Sequence, residues 1–244
     1  NKIVEFEMSV FEKQIFIVGN GRSGTTLLSR SLGKHSKIYR FKELHYYEGV
    51  ISDPSKKLTK EEAVITLSRL FWKQREAFLS KIDDDRYTKE AESLLKPWGN
   101  HICPHELFHF YLKYLAQKNG CPVACEQTPR NLFFADEILN NFPNALIINM
   151  VRDPRAIAFS QKNKWKINKL NGFDVPLLNS LRLFFNYHSI TVAKLWSANI
   201  RKAKLFEADQ RFLTIKFEEF LHNPEYFLKK ICKRLSVEYE EKML

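Results

Sequence analysis

Cysteine and long apolar runs are both in short supply in this chain, and each shortage excludes something. Four cysteines in 244 residues are too few to staple a disulfide scaffold, so the fold must rest on packing, and a reducing compartment is the expectation. No apolar run reaches the ~18 residues that a membrane-spanning helix needs, and no secretory leader is legible. The chain opens on Asn1 rather than Met, so the natural N-terminus is expected to have been removed or to precede it, and a discarded anchor stays open. A cytoplasmic location is therefore expected, with a Golgi lumen and a lost anchor as the alternative. Repeats and low-complexity tracts are absent, which excludes solenoids and tails.

What the chain has is 44% hydrophobic residues, including 20 Phe, enough for one substantial α/β core over residues 1–244. Lys and Arg number 39 against 28 Asp and Glu, a formal net charge of +11. Such a surface favours anionic ligands, acidic acceptors, nucleic acid or an anionic membrane without choosing among them.

Three of the eight glycines fall in one stretch, Ile15-Phe16-Ile17-Val18-Gly19-Asn20-Gly21-Arg22-Ser23-Gly24-Thr25-Thr26. Four apolar residues bounded by glycine read as a buried parallel strand, and Leu27, Leu28 and Leu32 at helical spacing start a helix near Gly24. Glycine lets the backbone take positive φ and bring its N–H groups against a ligand. The helix N-terminus beyond adds unpaired donors and the positive end of a dipole, so the loop reads as an oxyanion site. Three templates share its letters. Gly19, Gly21 and Gly24 match the dinucleotide fingerprint G-x-G-x-x-G, with Glu43 near the place of its ribose-binding acid. Gly19 and Gly24 also frame the triphosphate loop G-x-x-x-x-G-K-[ST], but Thr25 stands where Lys is needed, which argues against ordinary ATP hydrolysis. The third template places the cation inside the loop, at Arg22.

Taken in order, the chain next predicts a turn at His35-Ser36-Lys37 and a second strand over Ile38–Phe41 that runs into Glu43, His45 and Glu48. A loop after a parallel strand lies at its carboxyl end, beside the glycine loop, where open α/β sheets bind ligands. Thr59 and Glu62 form a capping box for a helix to about Ser80, with Ala63, Leu67, Leu70, Phe71 and Phe78 as its apolar face. Asp83-Asp84-Asp85 reads as a solvated turn, and Pro104 opens a further helix carrying Leu107, Phe108, Tyr111, Leu112 and Leu115. Residues 58–119 are thus a helical insertion without a strand, unlike the strand–helix alternation of a nicotinamide-binding fold. Strands are expected at 122–126, 145–151 and 212–217, and helices at about 131–141, 177–207 and 224–235. Asp153 as N-cap and Pro154 as first helical residue put Arg152 at a strand's carboxyl end, with Ser160 two helical turns on.

Two motifs now acquire a common meaning. Gly21-Arg22-Ser23-Gly24-Thr25-Thr26-Leu27 resembles the 5'-phosphosulfate loop of sulfotransferases that use 3'-phosphoadenosine 5'-phosphosulfate (PAPS), and Val151-Arg152-Asp153-Pro154-Arg155 through Ser160 resembles their 3'-phosphate motif. Glu126-Gln127-Thr128-Pro129 resembles the family's Glu-Lys-Thr-Pro segment, and Phe217-Glu218-Glu219-Phe220 with Asn223-Pro224-Glu225 its later Tyr-Glu-Asp-Leu and Asn-Pro-Glu, so the likeness spans residues 14–236. The resemblance implies an α/β fold of P-loop-like sulfotransferase architecture, with a central parallel sheet, flanking helices and the helical insertion after the second strand. It implies an enzyme that moves a sulfuryl group from PAPS to a hydroxyl of a carbohydrate, lipid or tyrosine-like acceptor and releases the 3',5'-bisphosphate PAP. Nucleic acid is not expected as a partner.

PAPS carries a separate 3'-phosphate and so needs two anion sites. Gly21, Arg22, Ser23, Gly24, Thr25 and Thr26 would make one, and Arg152 with the Ser160 hydroxyl the other. Arg22 would also offset charge on the departing oxygen. Glu43 takes the position of the family's acidic base, with His45 as second candidate, and no metal is required. Gln127 departs from the pattern, because the family's Lys there would assist the leaving phosphate. Phe217 replaces the usual Tyr, Ser236-Val237 stands where Leu-Gly is common, and Leu244 comes before the tail that often closes over the cofactor. A non-catalytic PAPS or polyanion binder therefore stays open, as does a dinucleotide-binding oxidoreductase. Cys103, His105, His109, Cys121 and Cys125 fit no zinc spacing and read as buried thiols and a helix-surface histidine pair. Lys162, Lys164, Lys166 and Lys169 around Trp165 read as a solvated helix end.

Overall fold

The computed structural model describes residues 13–76, 85–160 and 189–244. Five strands, β1 (Lys13–Gly19), β2 (Ile38–Arg40), β3 (Val123–Gln127), β4 (Ala145–Val151) and β5 (Phe212–Lys216), form one sheet in the order β2-β3-β1-β4-β5. Every neighbouring pair is parallel. Because β1 is central it is buried on both faces, with Ile15 and Ile17 in one core and Phe16 and Val18 in the other. That is why its sequence is continuously apolar rather than alternating.

One face is covered by α1 (Thr25–Leu32) and by α9 (Pro224–Leu235), whose Leu228, Ile231, Cys232 and Leu235 join Ile15, Ile17 and Leu28. The other is covered by the expected insertion between β2 and β3, made of α2 (Lys60–Arg75), α3 (Asp85–Leu95) and α4 (Pro104–Lys118). Among its described residues the only extended pairing is a single antiparallel bridge between Leu58 and Ile102. The remaining helices are α5 (Ala135–Asn141), α6 (described over 154–160), α7 (Ser189–Lys204) and the short α8 (Phe217–His222).

The Thr59–Glu62 capping box is present, but α2 ends at Arg75 rather than near Ser80. Glu76 turns extended there, and its carboxylate accepts the Tyr87 hydroxyl at 2.6 Å while Arg75 pairs with Glu90, so side chains of α3 hold the corner. Asp85 opens α3 instead of sitting in a turn. The helix expected at 131–141 divides into a 3₁₀ stretch, Pro129–Phe134, and α5. Residues 46–50, expected as loop, make a π-helical turn, Tyr46–Val50. Burial explains it: the Tyr46 ring stacks on Phe108 at 4.0 Å and its hydroxyl donates to the Pro104 carbonyl at 2.6 Å. Phe78, residues 83–84, the lysine run at 162–169 with Trp165, and residues 177–188 lie outside the described residues. Among the described residues no helix is long and apolar enough to cross a membrane.

Strand order fixes where a ligand crevice can open. After β1 the chain leaves toward β2, on one side of the sheet, and after β4 it leaves toward β5, on the other. The crevice between the carboxyl ends of β1 and β4 is therefore a topological switch point, the usual ligand position in open α/β sheets.

Candidate functional site

The loop after β1 is shaped by glycine at two places where a side chain could not be accommodated. Gly19 has φ +139°, and a Cβ there would lie 2.3 Å from the Met150 carbonyl oxygen of β4, its register partner. Gly24 has φ +94° and caps α1 in the left-handed conformation, where a Cβ would meet the Phe217 ring at 2.2 Å. Arg22 also takes positive φ, 70°, and is exposed. Ser23 is wholly buried, and both its N–H and its hydroxyl donate to the Asn20 carbonyl, so it shapes the loop. Thr25 is buried and Thr26 exposed. No side chain caps the first turn of α1 and no acidic residue lies in it, which leaves its donors and dipole available to an anion.

The second motif meets the first across the switch point. Met150 pairs with Gly19, so β1 and β4 end level and Arg152 emerges beside the glycine loop. Its Nη1 donates to the Arg22 carbonyl at 3.0 Å, and its guanidinium lies over the Phe217 ring, 4.3 Å from the centroid. The Arg152 carbonyl accepts from Trp196 Nε1 of α7 at 2.9 Å, while its own Nε is buried without a partner. Asp153 and Pro154 start α6 as the sequence indicates, with Ile157 N–H donating to the Asp153 carbonyl at 3.0 Å. Helical spacing then returns Ser160 to the loop, where its hydroxyl accepts from Arg22 Nε at 3.1 Å. Among the described residues no carboxylate pairs with Arg22 or Arg152, so two unneutralised cations and an unpaired guanidinium N–H face one crevice.

Glu43 reaches the same place from the other side. Arg40 of β2 aligns with Cys125 of β3, so a residue just past β2 arrives level with Gln127. The Gln127 amide donates to Glu43 Oε1 at 2.9 Å and to Thr26 Oγ1 at 3.3 Å, tying the carboxylate to the first turn of α1. Glu43 Oε2 lies 3.4 Å from His45 Nε2. His45 itself has φ +51°, its N–H donates to Thr128 Oγ1 at 3.2 Å, and its Nδ1 contacts Glu48, whose other oxygen is 3.0 Å from Arg130 Nε. The hydrogen bond to Glu43 raises the His45 pKa above its ordinary value, against burial and with further help from Glu48. Below this cluster Glu126 is fully buried, and burial pushes its carboxyl up to about 7 although Thr128, the Leu44 N–H and Asn131 donate to it.

The structure thus brings Arg22, Ser160 and Arg152 into contact and ties Glu43 to Thr26 through Gln127, while Ser23 and Thr25 are buried within the loop. Sequence reasoning did not find Phe217 as the platform under Arg152 or Gln127 as the bridge to Glu43. The first had a signal in its place at the end of β5, next to β4; the second depends on register between strands 84 positions apart. The histidine pair is not a surface feature: His105 is buried beside Tyr47, and His109 Nε2 lies 3.0 Å from Gln14 Nε2. A cleft of about 440 Å³ lined by Lys13, Arg211 and Arg234 sits at the amino ends of β1, β4 and β5, opposite to the crevice and away from both motifs.

The family model described as the sulfotransferase family matches residues 14–241. The protein-tyrosine sulfotransferase of Drosophila melanogaster is 25% identical over 232 residues, covering 94% of this chain and 39% of that protein. An uncharacterized protein of Aquifex aeolicus is 25% identical over 236 residues, covering 96% of this chain and 26% of its own. The chain thus spans well under half the length of these relatives. Among solved structures, the sulfotransferase domain of the Synechococcus PCC 7002 olefin synthase superposes with a TM-score of 0.62 at 18% identity, over 96% of this chain and 76% of that one. The sulfotransferase domain from the curacin biosynthetic pathway gives 0.59 at 20% identity, over 97% and 78%. At these identities the structural likeness speaks for the fold.

Proposed function

The chain belongs to the sulfotransferase family, and from that premise we propose that it is a PAPS-dependent O-sulfotransferase, moving a sulfuryl group from PAPS to the hydroxyl of a carbohydrate, lipid or tyrosine-like acceptor. The observation that carries the reading is the meeting of Arg22, Ser160 and Arg152 across the β1–β4 switch point, with Glu43 tied to the same loop through Gln127. The residues present suit a bisphosphorylated nucleoside: two guanidiniums without carboxylate partners among the described residues, a buried Arg152 Nε–H without a partner and a helix N-terminus with no side-chain cap offer donors to phosphate oxygens. The dinucleotide reading of the same glycines falls with family membership.

In this reading Gly21, Arg22, Gly24, Thr25 and Thr26 hold the phosphosulfate end, with Ser23 fixing the loop's shape, and Arg152 with Ser160 holds the 3'-phosphate. Arg152 is kept in place from below by Phe217 and from behind by Trp196. Glu43 accepts the proton of the acceptor hydroxyl as its oxygen bonds to sulfur. The bond from sulfur to the bridging phosphate oxygen breaks, and the electron pair remains on that oxygen. Arg22 and the first N–H groups of α1 stabilise the charge developing there. Gln127 supplies a neutral hydrogen bond, not a charge, and its amide is already directed at Glu43 and Thr26. Its work is to place the base.

The test is binding followed by transfer. PAP should raise the melting temperature while NAD and ATP at equal concentration do not, and sulfur-labelled PAPS should pass label to a member of a panel of saccharides, sterols and tyrosine peptides. PAP binding without transfer to any acceptor would favour the non-catalytic binder, and stabilisation by NAD but not PAP would remove the proposal.

A further inference from the structure

With Glu43 as the base, His45 has no reacting atom of its own to act on, because the group at its Nε2 is Glu43 itself. Both ring nitrogens face carboxylates: Nε2 lies 3.4 Å from Glu43 Oε2, and Nδ1 touches Glu48 Oε1. A neutral imidazole has one N–H and can satisfy one of them; only the imidazolium has two. The far side of Glu48 is fixed by Arg130 Nε at 3.0 Å, and the far side of Glu43 by the Gln127 amide at 2.9 Å. The result is a continuous chain of contacts, Gln127–Glu43–His45–Glu48–Arg130, in which Glu43 Oε1 accepts from Gln127 and Oε2 faces the His45 ring.

Resting on the reading of Glu43 as the base, we propose that His45, held as imidazolium between Glu43 and Glu48, is a positioning residue that fixes the plane of the Glu43 carboxylate toward the acceptor hydroxyl. The backbone is committed to this arrangement. His45 sits at φ +51°, a conformation a histidine adopts only at a cost, and is held there by the buried turn at Tyr46–Val50 and by its own N–H on Thr128 Oγ1. Glu48 belongs to that same turn, so the burial of Tyr46 and Tyr47 sets the spacing of the two carboxylates around the ring.

The charged groups around the ring balance in favour of its protonated form. Glu43 and Glu48 face it from its own segment, and Glu126 of β3 lies beneath, close enough for the ring's charge to act on it. Against them stand Arg130, from the stretch after β3, and Lys73 of α2, near enough to Glu48 to feel its charge; both act on Glu48 rather than on the ring. The clamp should therefore hold below the raised titration of His45 and open as pH rises through it, when the ring keeps one proton and must release one carboxylate.

Ring nitrogens of ¹⁵N-histidine-labelled protein report this directly, with the His45 signals assigned by their loss in His45→Asn. His45 should keep both ring protons at pH values where an ordinary histidine has lost one, and Glu43→Gln and Glu48→Gln should each lower its titration. An unchanged titration in Glu43→Gln overturns the clamp. In turnover, His45→Asn should lower kcat about tenfold to a hundredfold, the range a misplaced catalytic group commands, with the Kd for PAP unchanged. The wild-type pH–rate profile should fall on its basic side where the ring deprotonates, and that limb should vanish in His45→Asn; a limb that persists also overturns the clamp. Failure of the underlying function looks different: the nitrogen titrations behave as stated, yet no sulfate is transferred.

Discussion

Gln127 is the residue whose identity matters most, since a cation there would change the charge of the site and an apolar residue would release Glu43. Its amide gives Glu43 Oε1 a hydrogen bond 2.9 Å long in a partly exposed setting. A hydrogen bond to a charged group contributes about 1.5–3 kcal/mol when buried and less when solvent competes. Gln127→Ala is therefore expected to reduce kcat about tenfold, with the PAP dissociation constant within about twofold of wild type. Gln127→Lys, which keeps a donor at that position, should retain more activity than Gln127→Ala. Single-turnover rates together with calorimetric PAP binding separate the two effects, and an equal loss of PAP affinity would recast Gln127 as a cofactor contact. At this scale the sequence carried Arg22, Arg152, Ser160 and Glu43, because each stands at a fixed offset from a strand end or a helix start. It did not carry the Gln127–Glu43 bridge or the Phe217 platform, which depend on the offsets between β2 and β3 and between β4 and β5. Nor did it carry the inward turn of Ser23, because hydroxyls that hold a loop and hydroxyls that hold a ligand read alike.

Elements join the site through β3, and Glu126 is the stitch. Its carboxylate, with no exposed surface, accepts from Leu44 N–H in the loop after β2, from Thr128, and from Asn131 in the 3₁₀ stretch at 2.9 Å. Burial raises its pKa to about 7, while the unfolded chain keeps a value near 4.5. Between those two values the folded state binds the extra proton, so its contribution to stability is full below the unfolded pKa and is lost as pH rises through the folded one. Each unit corresponds to about 1.4 kcal/mol, so the difference across this window is at most about 3.5 kcal/mol. Relative to Glu126→Gln, the wild-type protein should lose denaturant midpoint steadily from about pH 5 to about pH 7.5. A wild-type midpoint that stays level across that range against the variant would mean that Glu126 is ionised in the fold at all these pH values. The elements themselves were largely legible, since strands apolar on both faces and proline- or threonine-capped helices announce themselves. The π-helical turn at Tyr46–Val50 was not, because what forms it is the burial of Tyr46 and Tyr47 against Phe108 and Phe134 from elsewhere in the chain.

For the whole molecule, ligand and fold should be coupled through the β1–β4 crevice. Two arginines meet there without carboxylate partners among the described residues, on a chain of net charge +11, and like charges held together oppose the compact state until an anion neutralises them. A ligand that binds only the folded protein stabilises it by about 2.7 kcal/mol at a hundred times its dissociation constant. In a protein of this size each kcal/mol moves the melting temperature by about 2–4 °C, so saturating PAP should add roughly 5–11 °C. Raising salt should shrink that increment by screening the exposed Arg22 more than the half-buried Arg152. Arg152→Ala should cut the increment from PAP but spare the smaller one from adenosine 5'-phosphosulfate, which has no 3'-phosphate for it to hold. Arg22→Ala should reduce both. The paired measurement decides between a site divided as the two motifs indicate and a diffuse basic surface: equal losses for the two ligands in Arg152→Ala would mean that charge alone attracts them.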